Sequence, residues 1–195
     1  MIRRVLYVAR HGETDWNAAN RWQGHTDIPL NAQGRAQARA LADALRTVRL
    51  SGIVASDLSR AQETADIVAA ELEVPLVYVD AALRERSFGC FEGLTGDECK
   101  QLHPEAWRVW KAERQPPEGA ETPDALQARV IEAIARVAQR VATDEAPALV
   151  VTHGGAVRAI VAMATGQQPA PVKNGAIWRV GWAGQPVWAE EPVRT

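Results

Sequence analysis

The run Val5-Leu-Tyr-Val-Ala-Arg-His-Gly-Glu-Thr14 decides how this chain folds. Its apolar residues from Val5 to Ala9 end abruptly in Arg10-His11-Gly12, the pattern of a buried strand that delivers polar residues at its carboxyl end. The stretch Leu149-Val-Val-Thr-His-Gly-Gly155 repeats the design and places His153 at the exit of another strand. The sequence pattern predicts a helix after each, and in open α/β sheets ligands bind beyond the carboxyl ends of strands.

Working outward, the runs Gly52–Ala55, Leu76–Val79 and Ala148–Thr152 alternate with apolar residues at helical spacing. Those are Ala38, Leu41, Leu45 and Val48, then Ala61, Ala65, Val68 and Leu72, then Leu126, Val130, Ile134, Val137 and Val141. The alternation predicts an α/β fold, a three-layer sandwich with a mostly parallel central sheet flanked by helices. Asn31 and Thr122, the latter followed by Pro123 and Asp124, read as helix N-caps. Over residues 88–121 the periodicity weakens, which predicts a helical lid inserted over the sheet. From Asn174 onward, Ile177, Trp178, Val180 and Trp182, then Gly184 and Val187-Trp188, predict two further strands joined by a turn. Gly24, Gly34 and Gly52 read as isolated turn glycines.

The chain has 195 residues, 47% apolar and 24% charged, so a single domain over 1–195 is expected. Twenty-two basic against 24 acidic residues give a net charge of −2, which excludes nucleic acid as the main partner. The longest apolar run, Ala159 to Ala164, falls far short of the roughly 20 residues that span a bilayer, so no membrane partner is expected. Basic residues precede the first apolar run, yet that run is too short for a signal peptide, and a cytoplasmic location is expected. Cys90 and Cys99 read as unpaired thiols. Seven tryptophans, three of them in the C-terminal hairpin, either close the core or form a homodimer face.

Alone, a histidine at a strand end reads as a hydrogen-bonded structural residue. Two of them, each in His-Gly, converge above the sheet if their strands are neighbours, beside helix N-termini that favour an anion. Arg10 adjoins His11, and Ser56-Asp-Leu-Ser-Arg60 puts a second arginine in the first turn after another strand. A cation at a helix start opposes the dipole and calls for an anion; phosphate fits.

Arg10-His-Gly-Glu-Thr-Asp-Trp-Asn17 resembles the signature of the histidine phosphatase superfamily, the phosphoglycerate-mutase-like proteins. Matching segments follow in the family's order: Gln23-Gly24 with Asp27-Ile-Pro-Leu30, Ser56 to Thr64, Leu83-Arg-Glu-Arg-Ser-Phe-Gly89 with Glu92-Gly93, and Thr152-His-Gly-Gly155. The resemblance implies a phosphoglycerate-mutase-like fold and transfer of a phosphoryl group to His11, followed by hydrolysis. It implies that Arg10, Arg60 and His153 hold the phosphoryl oxygens and that Glu85 is the general acid and later the base. Asn17, Thr14, Gln23, Gly24, Gly154 and Arg86 are the expected substrate contacts, with His25 at the rim; Thr14 is favoured over Glu13. Side-chain cations would do the work of metal ions, and no His/Asp/Glu cluster has metal-ligand spacing, so neither a metal nor another cofactor is expected.

The mutases of this superfamily carry a basic insertion after the general acid. Here residues 88–121 offer only Lys100, Arg108, Lys111 and Arg114, set among Trp107, Trp110 and Pro116-Pro117. Trp107 and Trp110 read as lid core rather than ligand contacts. The expected substrate is therefore a small phosphomonoester, with inorganic phosphate as product. A phosphoglycerate mutase is the alternative reading. A binding-only relative would have lost His11, Glu85 or His153, and all three are present.

Overall fold

A computed structural model describes residues 4–191. The basic start before Arg4 and the last four residues of the expected domain lie outside the described residues. In chain order the elements are β1 (Arg4–Arg10), α1 (Asp15–Ala18), α2 (Ala32–Leu45), β2 (Gly52–Ala55), α3 (Ser59–Leu72) and β3 (Leu76–Val79). There follow α4 (Gly96–Leu102), α5 (Pro104–Glu113), α6 (Pro123–Arg140), β4 (Ala148–Thr152), α7 (Gly154–Thr165), β5 (Ile177–Trp182) and β6 (Pro186–Glu190).

The six strands form one sheet in the order β3-β2-β4-β1-β5-β6. β3, β2, β4 and β1 are parallel, and β5 and β6 add an antiparallel hairpin beyond β1. β2 and β4 are buried at every position because helices cover both faces of the sheet, which is why they read as unbroken apolar runs. On one face Leu6, Val8, Val54 and Val150 pack with Val130, Ile134 and Val137 of α6 and Val157 and Ile160 of α7. On the other, Ala9, Ile53, Ala55 and Val151 pack with Leu41 and Leu45 of α2 and Ala61, Ala65 and Val68 of α3. The three layers match the expected sandwich.

The expected caps are in place: the Asn31 side chain accepts from the Gly34 amide and Thr122 from the Ala125 amide, with Pro123 opening α6. Val48 lies beyond α2 but still packs on that helix's core. Gly34 and Gly52 are not turn glycines. Gly52 begins β2, while Gly34 sits inside α2, where a Cβ would collide with the Glu13 carbonyl, as one on Gly12 would with the Gly34 carbonyl. These two glycines let the loop after β1 press onto the start of α2. Gly24 is a turn glycine, with φ +54°.

Residues 88–121 carry α4 and α5 and a small core of their own, in which Phe91, Cys99 and Trp110 are buried and Trp22, Phe88 and Trp107 pack around them. The cysteines are free thiols. In the C-terminal hairpin Trp182 is buried and Trp178 packs against the same core. Among the described residues no helix is long and apolar enough to cross a membrane.

Candidate active site

Strand register builds the site. Arg10 pairs with Thr152 in the parallel β1–β4 ladder, so the next residue of each strand, His11 and His153, emerges side by side. The His11 amide donates to the Thr152 carbonyl (2.9 Å), and the imidazole centroids lie 5.0 Å apart at 62°. On the far side of β4, Ser56 leaves β2 with its amide on the Val151 carbonyl (2.9 Å) and its hydroxyl 2.9 Å from His153 Nε2. Three adjacent parallel strands thus end in His11, His153 and Ser56.

The helix geometry differs from the expectation at His11. Only His153 leads directly into a long helix, as the N-cap residue of α7. His11 is followed by a short loop and the single turn α1, whose capping box is made by Thr14 and Asn17. The α7 N-terminus therefore supplies the helix dipole here.

Both imidazoles are buried. Burial, then Arg10 and Arg60, push the basicity of His11 well below the ordinary histidine value. His153 is lowered likewise, first by burial and then by Arg60, His11, Arg10 and Arg129. The free site therefore holds neutral rings. His11 Nδ1 lies 2.6 Å from the Gly12 carbonyl, which can only accept, so Nδ1 carries the proton and Nε2 keeps its lone pair.

The two arginines are tethered through their guanidinium ends. Arg10 donates to the Val172 carbonyl (2.7 Å), and Arg60 donates to the carbonyls of Thr26 (2.9 Å) and Gly24 (2.8 Å). Burial pushes Arg60 down to about 10, so it remains a cation at neutral pH. Arg10 Nε, Arg60 Nε and His153 Nδ1 are buried without a protein partner. Unpartnered buried polar atoms are rare in folded proteins, and two guanidinium N–H donors gathered with an imidazole nitrogen at one strand edge suit an anion.

Glu85 reaches this site from the segment after β3. Its Oε2 accepts from the Gly155 amide (2.9 Å) and its Oε1 from the Arg86 amide (2.8 Å). Arg129 of α6 clamps the backbone behind it, donating to the Glu85 carbonyl (2.8 Å) while paired with Glu121 (2.6 Å). His25, expected at the rim, instead turns its Nε2–H onto the Glu85 carbonyl (2.9 Å). Glu92 ties the neighbouring loops: burial alone would raise its carboxyl, yet hydrogen bonds from Thr26, Phe88, His25 and Ser87 hold it below the usual carboxylate value.

A cleft of about 1150 Å³ opens over these groups, and its walls include Arg10, His11, Asn17, Gln23, Gly24, Arg60, Glu85, Arg86 and Gly154. Thr14 is placed elsewhere. It is buried, and its hydroxyl is engaged with Asn17 in the α1 cap, so it is outside the cleft lining. Trp107 and Trp110 belong both to the lid core and to the cleft wall. Sequence reasoning passed over three polar residues of the site. Asn174 donates to the carbonyls of His11 and Gly12 (3.2 Å each) and to Asn17 Oδ1 (3.1 Å); Ser56 faces His153; and Arg158 lines the cleft from α7. Ser56 and Arg158 were within reach of the sequence, one as the first polar residue after a strand and the other one helical turn beyond Gly154.

Fold and site together define an α/β sandwich with two histidines and two buried arginines gathered at the carboxyl edge of its parallel strands. The chain belongs to the histidine phosphatase superfamily (branch 1), whose profile matches residues 6–185. It is 39% identical over 159 residues to phosphoglycerate mutase-like protein 4 of Arabidopsis thaliana, covering 80% of this chain and 68% of that protein. It is 36% identical over 159 residues to the metal-independent phosphoserine phosphatase of the same plant, covering 80% of this chain and 66% of that protein. The chain thus spans about two thirds of the length of these relatives. The solved structure of YhfR from Bacillus stearothermophilus superposes with a TM-score of 0.84 at 32% identity, covering 97% of this chain and 96% of that one.

Proposed function

We propose that the protein is a phosphomonoesterase that works through a phosphohistidine on His11 and needs no metal ion. The observation that carries this reading is the Nδ1–Gly12 contact of 2.6 Å, which leaves His11 Nε2 unprotonated in a site that also holds the unpartnered nitrogens of Arg10, Arg60 and His153. In the first step Nε2 attacks phosphorus, the P–O bond to the leaving group breaks, and the Glu85 carboxyl gives its proton to the departing oxygen. In the second, the Glu85 carboxylate takes a proton from water, the water oxygen bonds to phosphorus, and the N–P bond breaks to release inorganic phosphate. Charge on the transferring group is met by fixed guanidinium and imidazole donors, the role that magnesium fills in kinases.

The test is hydrolysis of p-nitrophenyl phosphate by wild type and His11→Ala, both in chelator. Activity in wild type, with a loss of several orders of magnitude in the variant, is expected. Equal rates in the two proteins would remove His11 as nucleophile, and loss of wild-type activity in chelator would remove metal independence. Turnover of 3-phosphoglycerate to its 2-isomer without phosphate release would favour a mutase instead.

A further inference from the structure

Two arginines on the cleft wall stand apart from Arg10 and Arg60. Arg86 follows Glu85 directly, and its guanidinium lies 4.9 Å from the ring centroid of Phe88 and 4.7 Å from that of Trp110. Arg158 lies on α7 three residues beyond Gly155 and four beyond Gly154, on the same helical face as both. Its Nε is buried without a partner. Neither arginine has an ion pair among the described residues, whereas nearby Arg21, Arg84 and Arg129 each hold a carboxylate at 2.6 Å. Burial depresses Arg86; the charge of Glu85 opposes this, and the like charge of Arg158 adds to it. Half-buried guanidinium groups without a directly bonded carboxylate keep N–H donors that an anionic ligand can satisfy.

Their position says which part of a ligand they would meet. The Arg86 amide holds one oxygen of Glu85 and the Gly155 amide the other, so both arginines extend from the two groups that seat the general acid. The imidazoles feel Arg10 and Arg60, and neither Arg86 nor Arg158 figures among the charges acting on them. Arg10 and Arg60 thus act on the two histidines and on Glu85 alike, whereas Arg86, which follows Glu85, acts on Glu85 and on neither ring, at the side where the leaving oxygen receives its proton. The Phe88 and Trp110 rings hold the Arg86 guanidinium beside the cleft, and its planar fork suits a carboxylate or phosphate edge.

We propose that Arg86 and Arg158 form a second anion subsite for a carboxylate or phosphate carried on the leaving group, which makes the substrates of this phosphomonoesterase doubly anionic. The inference rests on the phosphatase reading given above.

The experiment compares kcat/KM within matched pairs for wild type, Arg86→Gln, Arg158→Gln and Arg158→Lys. 3-Phosphoglycerate against glycerol 3-phosphate differs by the carboxylate, and fructose 1,6-bisphosphate against fructose 6-phosphate by the second phosphate. Each ratio is internal to one preparation, so a partly misfolded variant does not move it. Wild type is expected to favour the doubly anionic member of at least one pair by about tenfold or more, and the pair that responds identifies the anion. Either glutamine variant should flatten that ratio, and Arg158→Lys, which keeps charge without the fork, should fall between. Turnover of the singly charged esters with no wild-type preference, or a preference intact in both glutamine variants, would overturn the subsite and leave the phosphatase reading standing. Failure of wild type on every monoester would overturn both.

Discussion

At the scale of single residues, the site divides its work by tautomer and tether. One carbonyl fixes the tautomer of His11 so that Nε2 keeps its lone pair, whereas two amides, from Arg86 and Gly155, fix the position of the Glu85 side chain. Glu85→Gln keeps an acceptor for one of those amides, turns its NH2 towards the other, and cannot give a proton. Its kcat/KM should fall about 10²- to 10⁴-fold on alkyl phosphates and far less on p-nitrophenyl phosphate, whose leaving group departs unprotonated. Equal losses on both ester types would show that Glu85 is not the acid. Among the residues, His11, His153, Arg10, Arg60 and Glu85 were legible because each ends a strand or sits in a local motif. Asn174 was not: it meets His11 across 163 positions, through the β1–β5 pairing, and nothing near it in the chain announces that contact.

Among the elements, α7 matters most, because its first turn lies against both Glu85 and Arg10. A Cβ on Gly155 would collide with Glu85 Oε1, and on Gly154 it would sit 3.4 Å from Arg10 Nε. Gly155→Ala should therefore displace the carboxylate and cost about 100-fold in kcat/KM, as misplacement by about an ångström does elsewhere. The midpoint of thermal unfolding should change little, since alanine suits a helix better than glycine. A variant of wild-type activity would mean that the Glu85 loop yields at no cost. The elements show how sequence signals succeed and fail. Four parallel strands and the caps at Asn31 and Thr122 were plain because period and cap chemistry are local. The turn reading of Gly34 failed because its reason is tertiary, the backbone of Gly12 and Glu13 lying on it. The lid helix α4 carried a readable capping box, Thr95 with Glu98, that was hidden by the lack of apolar period around it.

For the whole molecule, two buried neutral imidazoles make stability depend on pH. Unfolded histidines bind protons near pH 6.5, whereas His11 and His153 in the folded chain do so only well below that. Between these limits the unfolded state holds more protons, so stability falls as pH falls below about 6.5. The depressed carboxyls of Asp57, Glu92 and Glu98 act only near and below the ordinary carboxylate range, about pH 4, leaving the 5.5 to 6.5 window to the histidines. Thermal midpoints should drop across that window. Sulfate, which stays a dianion there, should restore more stability at pH 5.5 than at 7.5, because it lets the rings accept protons. His153→Asn should flatten the slope; an unchanged slope would place the titration elsewhere.

The small core of residues 88–121 also bears on chemical kinetics. Both of the chain's thiols lie in it, Cys99 buried and Cys90 packed against the cluster, and burial pushes the Cys99 thiol up to about 11. Such a sulfur reacts with a disulfide reagent only when its surroundings part, so the native protein carries its own clock for the breathing of the segment above the cleft. Labelling of Cys99 that slows with an anion in the cleft would time how often the active site is open to receive one.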